Sequence, residues 1–124
     1  MSFTPFGPAY ALQEQIGVAG TPLVNGTPTV LSWTAPADGQ EHRAFVIATL
    51  HVTGAATGGA LHVTGTTPDG TGAANPQMLP ASEAVGVFQN IVTLIVASGS
   101  VVALVQTTAL TAGAALLWAE IWGS

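Results

Sequence analysis

Lysine and cysteine are both missing from the 124 residues, and Arg43 is the one strong base beside three histidines. Each absence closes a class of chemistry. Without cysteine there are no disulfides, thiol nucleophiles or thiolate metal sites, and the redox compartment is left open. Without lysine there is no Schiff-base chemistry, no phosphate-loop NTPase chemistry and no lysine general base. A single arginine in a chain of net charge −5 and pI about 4.6 provides no cationic patch to neutralise phosphates, so nucleic acid is not an expected partner. Charged residues make up 6% of the chain, against roughly 25% in ordinary soluble domains. With 48% hydrophobic residues and a mean hydropathy of +0.53, part of the surface is expected to be covered by something else.

Long hydrophobic runs are also scarce. Residues 84–119 carry no charge, but the run Ile91 to Ala97 is preceded by Gln89-Asn90 and stopped by Ser98-Gly99-Ser100, whereas a spanning helix needs about 20 apolar residues. No basic residue flanks the run to anchor a span. β-branched residues dominate on both sides of the break, so buried strands are expected and no membrane partner. The start, Met1 to Pro8, has no basic segment and no continuous apolar stretch, unlike a secretory signal.

The length suits one domain. Residues 1–20 mix Phe3, Phe6 and Tyr10 with Pro5, Pro8, Gly7, Gly17 and Gly20, a pattern that predicts an extended arm packing by its rings on a neighbour. Residues 21–124 alternate short β-type runs with turn clusters, the pattern of an all-β, single-domain antiparallel β-sandwich. The expected strands are 21–24, 29–34, 43–53, 60–66, 84–97, 101–107 and 114–122. Asn25-Gly26 and 35–39 end the first two, Gly54 to Gly59 is read as a hairpin turn, and 73–82 as a surface loop. The last three strands are expected to form an antiparallel meander, the first of them bending near Gly86 or Asn90. No segment shows capped helical periodicity.

Three constellations carry possible chemistry. His51-Val52-Thr53-Gly54 recurs as His62-Val63-Thr64-Gly65. A symmetric hairpin about 54–59 would bring His51 and His62 opposite each other, within reach of one ion, with His42 or another chain completing the set. The alternative is two histidines bonded to threonine or backbone, and no metal or cofactor is expected. The six carboxylates, Glu14, Asp38, Glu41, Asp69, Glu83 and Glu120, form no obvious acid/base pair, and no serine sits in a nucleophile elbow. An enzyme is therefore not expected. In the final strand Trp118, Glu120 and Trp122 share one face and Leu117, Ala119 and Ile121 the other. The aliphatic face reads as core, the tryptophan face as a surface for subunit packing or sugar stacking.

The aromatic, Pro/Gly-rich start from Phe3 to Tyr10, the nearly uncharged strands of valine, threonine and alanine, and the ending Val105 to Trp122 together resemble the small all-β virion proteins of tailed bacteriophages. These are capsid decoration or minor head proteins and the head domains of phage fibres. The resemblance implies a jelly-roll-like fold, a homotrimer, and a place on the outer capsid surface where the protein binds the major capsid protein or another virion protein and cements shell subunits. It implies no catalytic residue. Phe3, Phe6, Tyr10, Trp118, Glu120 and Trp122 are the expected partner-binding residues. A receptor- or glycan-binding fibre head is the alternative, with Trp118, Glu120, Trp122 and the 67–82 loop as its binding end.

Overall fold

The computed structural model describes residues 10–68, 73–74, 77–79 and 82–124. They form ten strands: β1 Ala11–Pro22, β2 Thr29–Thr34, β3 His42–Thr57, β4 Leu61–Thr66, β5 Ala73–Ala74, β6 Gln77–Leu79, β7 Ser82–Glu83, β8 Gly86–Val96, β9 Val101–Gln106 and β10 Ala112–Gly123. Among the described residues there is no helix. One sheet runs β1-β10-β3, with β8 and the short β7 along the far side of β3. The other runs β2-β9-β4, with β5 and β6 along β4. Every pairing is antiparallel, and the two sheets stack as an all-β sandwich.

The chain changes sheets at each step between long strands, from β1 to β2, β3, β4, β8, β9 and β10. This overturns two expectations. The last three strands do not form a meander, because β8 and β10 both pair with β3 while β9 lies in the opposite sheet between β2 and β4. Residues 54–59 do not close a hairpin either, since β3 and β4 are in different sheets. Backbone chemistry explains both. Gly58 and Gly59 have φ of +81° and +77°, a conformation that costs other residues roughly 1–2 kcal/mol each. The arch they form is held across the sandwich by Gly59 N–H to Thr108 O (3.1 Å) and Ala60 N–H to Thr108 Oγ1 (2.9 Å). After β8, Ser100 is buried; its carbonyl accepts Ala35 N–H (2.8 Å) and its hydroxyl oxygen accepts Thr66 N–H (2.9 Å), tying the arch to strands of the second sheet.

The arm expected over 1–20 is corrected in its second half. Residues 11–22 form β1, which pairs with β10 from Ala11↔Gly123 to Pro22↔Leu116. The alternation is masked by two register shifts, after Leu12 and after Ile16, with Gly17 and Gly20 at positive φ. Residues 1–9 lie outside the described residues. The 73–82 loop contains the short strands β5, β6 and part of β7. No bulge occurs at Asn90, as β8 pairs with β3 through eleven successive positions, His42↔Val96 to Val52↔Gly86.

Period-two alternation builds the core. Val46, Ala48, Leu50 and Val52 of β3 and Leu117, Ala119 and Ile121 of β10 point inward from one sheet, and Leu61, Val63, Val102 and Leu104 from the other. Each fully buried aliphatic side chain contributes about 1.5–3 kcal/mol. The one fully buried polar side chain among the described residues, Gln106, donates Nε2–H to Val24 O (2.7 Å) and Thr108 O (3.2 Å).

Candidate functional site

The alternation that fills the core aims the other half of each strand outward, and the two outer faces differ in chemistry. On the β2-β9-β4 sheet the outward residues are short hydroxylic and aliphatic side chains with one imidazole: Ser32 and Thr34 beside Ala103 and the 51% exposed Val101, Thr64 beside Ala103, and His62 beside Val105. On the β1-β10-β3-β8 sheet the registers stack large apolar side chains in rows. One row is Leu12, Trp122, Phe45 and Thr93; the next is Gln15, Glu120, Ile47 and Ile91; the next is Trp118, Thr49 and Gln89; the last is Leu116, His51 and Val87. Val87, Ile91 and Ile95 are 66%, 55% and 43% exposed, so each leaves a large share of its apolar surface in water. Contiguous exposed apolar surface of this kind marks an interaction face.

Aromatic rings fix the centre of that face. Phe45 stacks on Trp122 with ring centroids 5.8 Å apart and planes 5° from parallel, and Tyr10 meets Phe45 edge-on at 4.9 Å. Trp122 Nε1 is buried and has no acceptor among the described residues, which costs roughly 1–3 kcal/mol. Arg43 lies at one end of the face beside Tyr10, Thr93 and Ile95, at the rim of a cavity of about 450 Å³. No carboxylate of the described residues forms an ion pair with it.

Of the residues expected to bind a partner, Tyr10, Trp118, Glu120 and Trp122 therefore share one face, and Phe3 and Phe6 lie outside the described residues. Sequence reasoning missed Phe45, Ile47, Val87, Ile91 and Ile95. The alternation in 43–53 and 84–97 was legible, but not that both strands border the same sheet. The expected arm also needs a narrower boundary, because the chain pairs with β10 from Ala11 onward.

The histidine pair is not formed. His51 faces outward from β3 opposite Leu116 and Val87, whereas His62 faces outward from β4 in the other sheet and meets Thr107 Oγ1 at 2.8 Å. Sheets in a sandwich stack about 10 Å apart, and the two rings point away from each other. No group of three or more metal-ligating side chains exists among the described residues.

The structure instead couples His42 to Asp38, four residues earlier across the Asp38-Gly39 turn. Both ring nitrogens meet acceptors: Nε2 lies 2.9 Å from Asp38 Oδ1 and Nδ1 lies 2.8 Å from the Ser124 backbone oxygen. Only the imidazolium donates at both positions. The Asp38 hydrogen bond, with the Ser124 oxygen second, raises the His42 pKa above its ordinary 6.5. The His42 hydrogen bond, with Gln40 N–H second, lowers that of Asp38 below 3.8. Ser, His and Asp thus meet, but without nucleophile geometry: Ser124 Oγ accepts from Arg43 N–H (3.2 Å) and faces the Arg43 carbonyl, not the imidazole. The cluster pins the start of β3 to the end of β10.

Its pH dependence follows from the two directions. The Asp38 contribution is present above pH 3.8 and is lost as pH falls through the lowered pKa. The His42 contribution is complete below pH 6.5 and is lost as pH rises through the raised pKa. Thermal melts at low salt are expected to give the highest Tm between about pH 4 and 6.5. Asp38→Asn should flatten the decline above that window; an unchanged decline in the variant would assign it elsewhere.

No protein-family model matches the chain, and no curated protein is similar to it at a significant level.

Proposed function

We propose that the protein is a structural component of a tailed-bacteriophage virion, a capsid decoration or cement protein on the outer surface of the head. In this reading it binds the major capsid protein, bridges neighbouring shell subunits and works as a homotrimer after synthesis in the host cytoplasm. The reading begins from the resemblance in the N-terminal segment, the uncharged strands and the C-terminal strand. The observation that carries it further is the outer face around Phe45, Ile47, Trp118 and Trp122, where aromatic and aliphatic side chains alternate with separate polar ones such as Glu120 and the hydrogen-bonded Gln89 and Thr49. An aromatic and aliphatic patch of this kind suits a large protein surface. The finer topology belongs to the same proposal: a first sheet ordered β1-β10-β3-β8 against a second ordered β2-β9-β4-β6 reads as a jelly roll.

Co-sedimentation with purified empty heads of the phage that encodes the chain tests the proposal. The wild-type protein is expected to pellet with the heads. Ile47→Glu, which places a carboxylate in the middle of the face beside Glu120, is expected to bind at least about tenfold more weakly, the effect of spoiling one anchor, with an unchanged circular dichroism spectrum. Wild-type protein left in the supernatant at saturating head concentration would overturn it. Glycan-array binding in place of head binding would support the fibre-head alternative, with Trp118 and Trp122 as stacking surfaces.

A further inference from the structure

The two sheets have four edges, and three of them are built to discourage pairing. β1 carries two register shifts, positive-φ glycines at 17 and 20, an exposed Glu14 and Pro22 at its end. β2 has six residues, follows Pro28 and is shifted between Thr29 and Leu31. β5 and β6 have two and three residues. Short, bulged, charged or proline-marked edges are the usual protections against strand addition.

β8 has none of them. It is eleven residues long, Gly86 to Val96, with no charge and no proline, and it follows β3 without a register shift. Among the described residues no strand pairs with its other edge. The backbone there shows the lack: Ile91 N–H is accepted by the side chain of its own neighbour, Asn90 Oδ1, at 2.9 Å. Asn90 is held in that pose by donating Nδ2–H to Met78 O (2.8 Å). The Ile91 N–H therefore points away from β3, as do those of every second residue along the strand.

We infer that β8 pairs antiparallel with β8 of a second copy of this chain, about a two-fold axis at Ile91. The second copy is the occupant because the strand is self-complementary about that residue. On the outer face Ile91 meets Ile91, Gln89 meets Thr93 and Val87 meets Ile95, so apolar meets apolar and amide meets hydroxyl there. No charge faces its like, which would be destabilising. Extending the rows outward, Ile47, Ile91 and their two symmetry mates form one aliphatic ladder across the seam. Arg43 and Ile95 of one copy continue into Val87 and His51 of the other. The residues facing the free edge are those that fall in hydrogen-bonded pairs in this register, which supplies roughly ten backbone hydrogen bonds. A two-fold seam consumes both open edges and closes. It joins the two outer faces into one continuous surface, and it is separate from the capsid reading, since it needs only a second copy.

The chain has no native cysteine, so one introduced thiol reads the seam. On the axis, Ile91→Cys sits about 5.5 Å from its mate between Cα atoms, within disulfide reach. Val101→Cys is the control, 51% exposed but on β9 in the middle of the other sheet. Under mild oxidation Ile91→Cys is expected to become a disulfide-linked dimer at least about tenfold faster than Val101→Cys, because the seam holds its thiols within bonding distance. Light scattering of the wild-type protein is expected to give an even multiple of the 12.4 kDa chain, two copies or, where a trimer also forms, six. Ile91→Lys, an exposed substitution that sets two ammonium groups on the axis, is expected to halve that mass and keep the circular dichroism spectrum. Equal oxidation rates of the two cysteine variants, or a wild-type mass that Ile91→Lys leaves unchanged, would overturn the seam. Head binding by the wild-type protein reads the capsid proposal separately, since Ile91 lies beside Ile47 on the face that binds heads in that reading.

Discussion

Leu117→Ala is expected to remove about 3–4 kcal/mol of stability, within the range for deleting three heavy atoms from a rigid core. Leu117 is fully buried on β10, paired across the sheet with the equally buried Leu50 of β3 on one side and with Thr21 of β1 on the other. β10 and β3 are the two central strands of their sheet, so neither backbone has room to collapse into the void. Against a total of about 5–15 kcal/mol for a domain, this is at least about a fifth of the whole. Urea unfolding should show a lower midpoint at unchanged slope. Leu116→Ala, one residue away on the half-buried outer face, is the internal comparison and should cost no more than about 1 kcal/mol. Equal losses for the two would mean that the inward and outward assignments on β10 are wrong.

The second large effect is expected from one added methyl group. Gly58→Ala is penalised twice, first because φ at this position is +81°, and second because the new Cβ would collide with the backbone carbonyl oxygen of Ala109. Neither atom belongs to a flexible side chain, so the arch from β3 to β4 must separate from the 107–110 segment. The hydrogen bonds of Gly59 and Ala60 to Thr108 would then be strained or lost. A loss of about 2–4 kcal/mol follows from backbone strain plus those bonds. Gly39→Ala is the matched control, also at positive φ (+79°) but with no atom within 4 Å of the added carbon. It isolates the conformational cost, about 1 kcal/mol. The difference between the two midpoints measures the collision alone, and no difference would remove the arch from the account of why β4 joins the second sheet.

Parts of the candidate site were legible in the sequence. Trp118, Glu120 and Trp122 could be placed on one face from spacing alone, because side chains alternate along any strand irrespective of its partners. The face they belong to could not. Phe45 stacks on Trp122, and Ile47 and Ile91 lie in line with Glu120, only because β10, β3 and β8 are neighbours, a fact spread over residues 42 to 123. The His51 and His62 repeat misled for the same reason: similar local sequence does not require pairing. The coupling of His42 to Asp38 has a local signal, the four-residue spacing across an Asp-Gly turn. Its strength, however, comes from the Ser124 oxygen on the far strand.

By itself, the sequence determined an all-β chain, with β2, β3, β4, β8, β9 and β10 placed to within a few residues, the short β5, β6 and β7 read as loop, and the inward and outward alternation of β3, β8 and β10. These are properties of residue type and period two, decided within a few residues. Only the tertiary structure decided which sheet each strand joins, and so which face is apolar and which edge lies open. A connection such as 97–100 or 58–60 is equally able to close a hairpin or to arch over the core. The choice was made by contacts distant in sequence: Thr108 holding Gly59 and Ala60, Ser100 holding Ala35 and Thr66, and a common interior that requires both sheets to bury their aliphatic faces together.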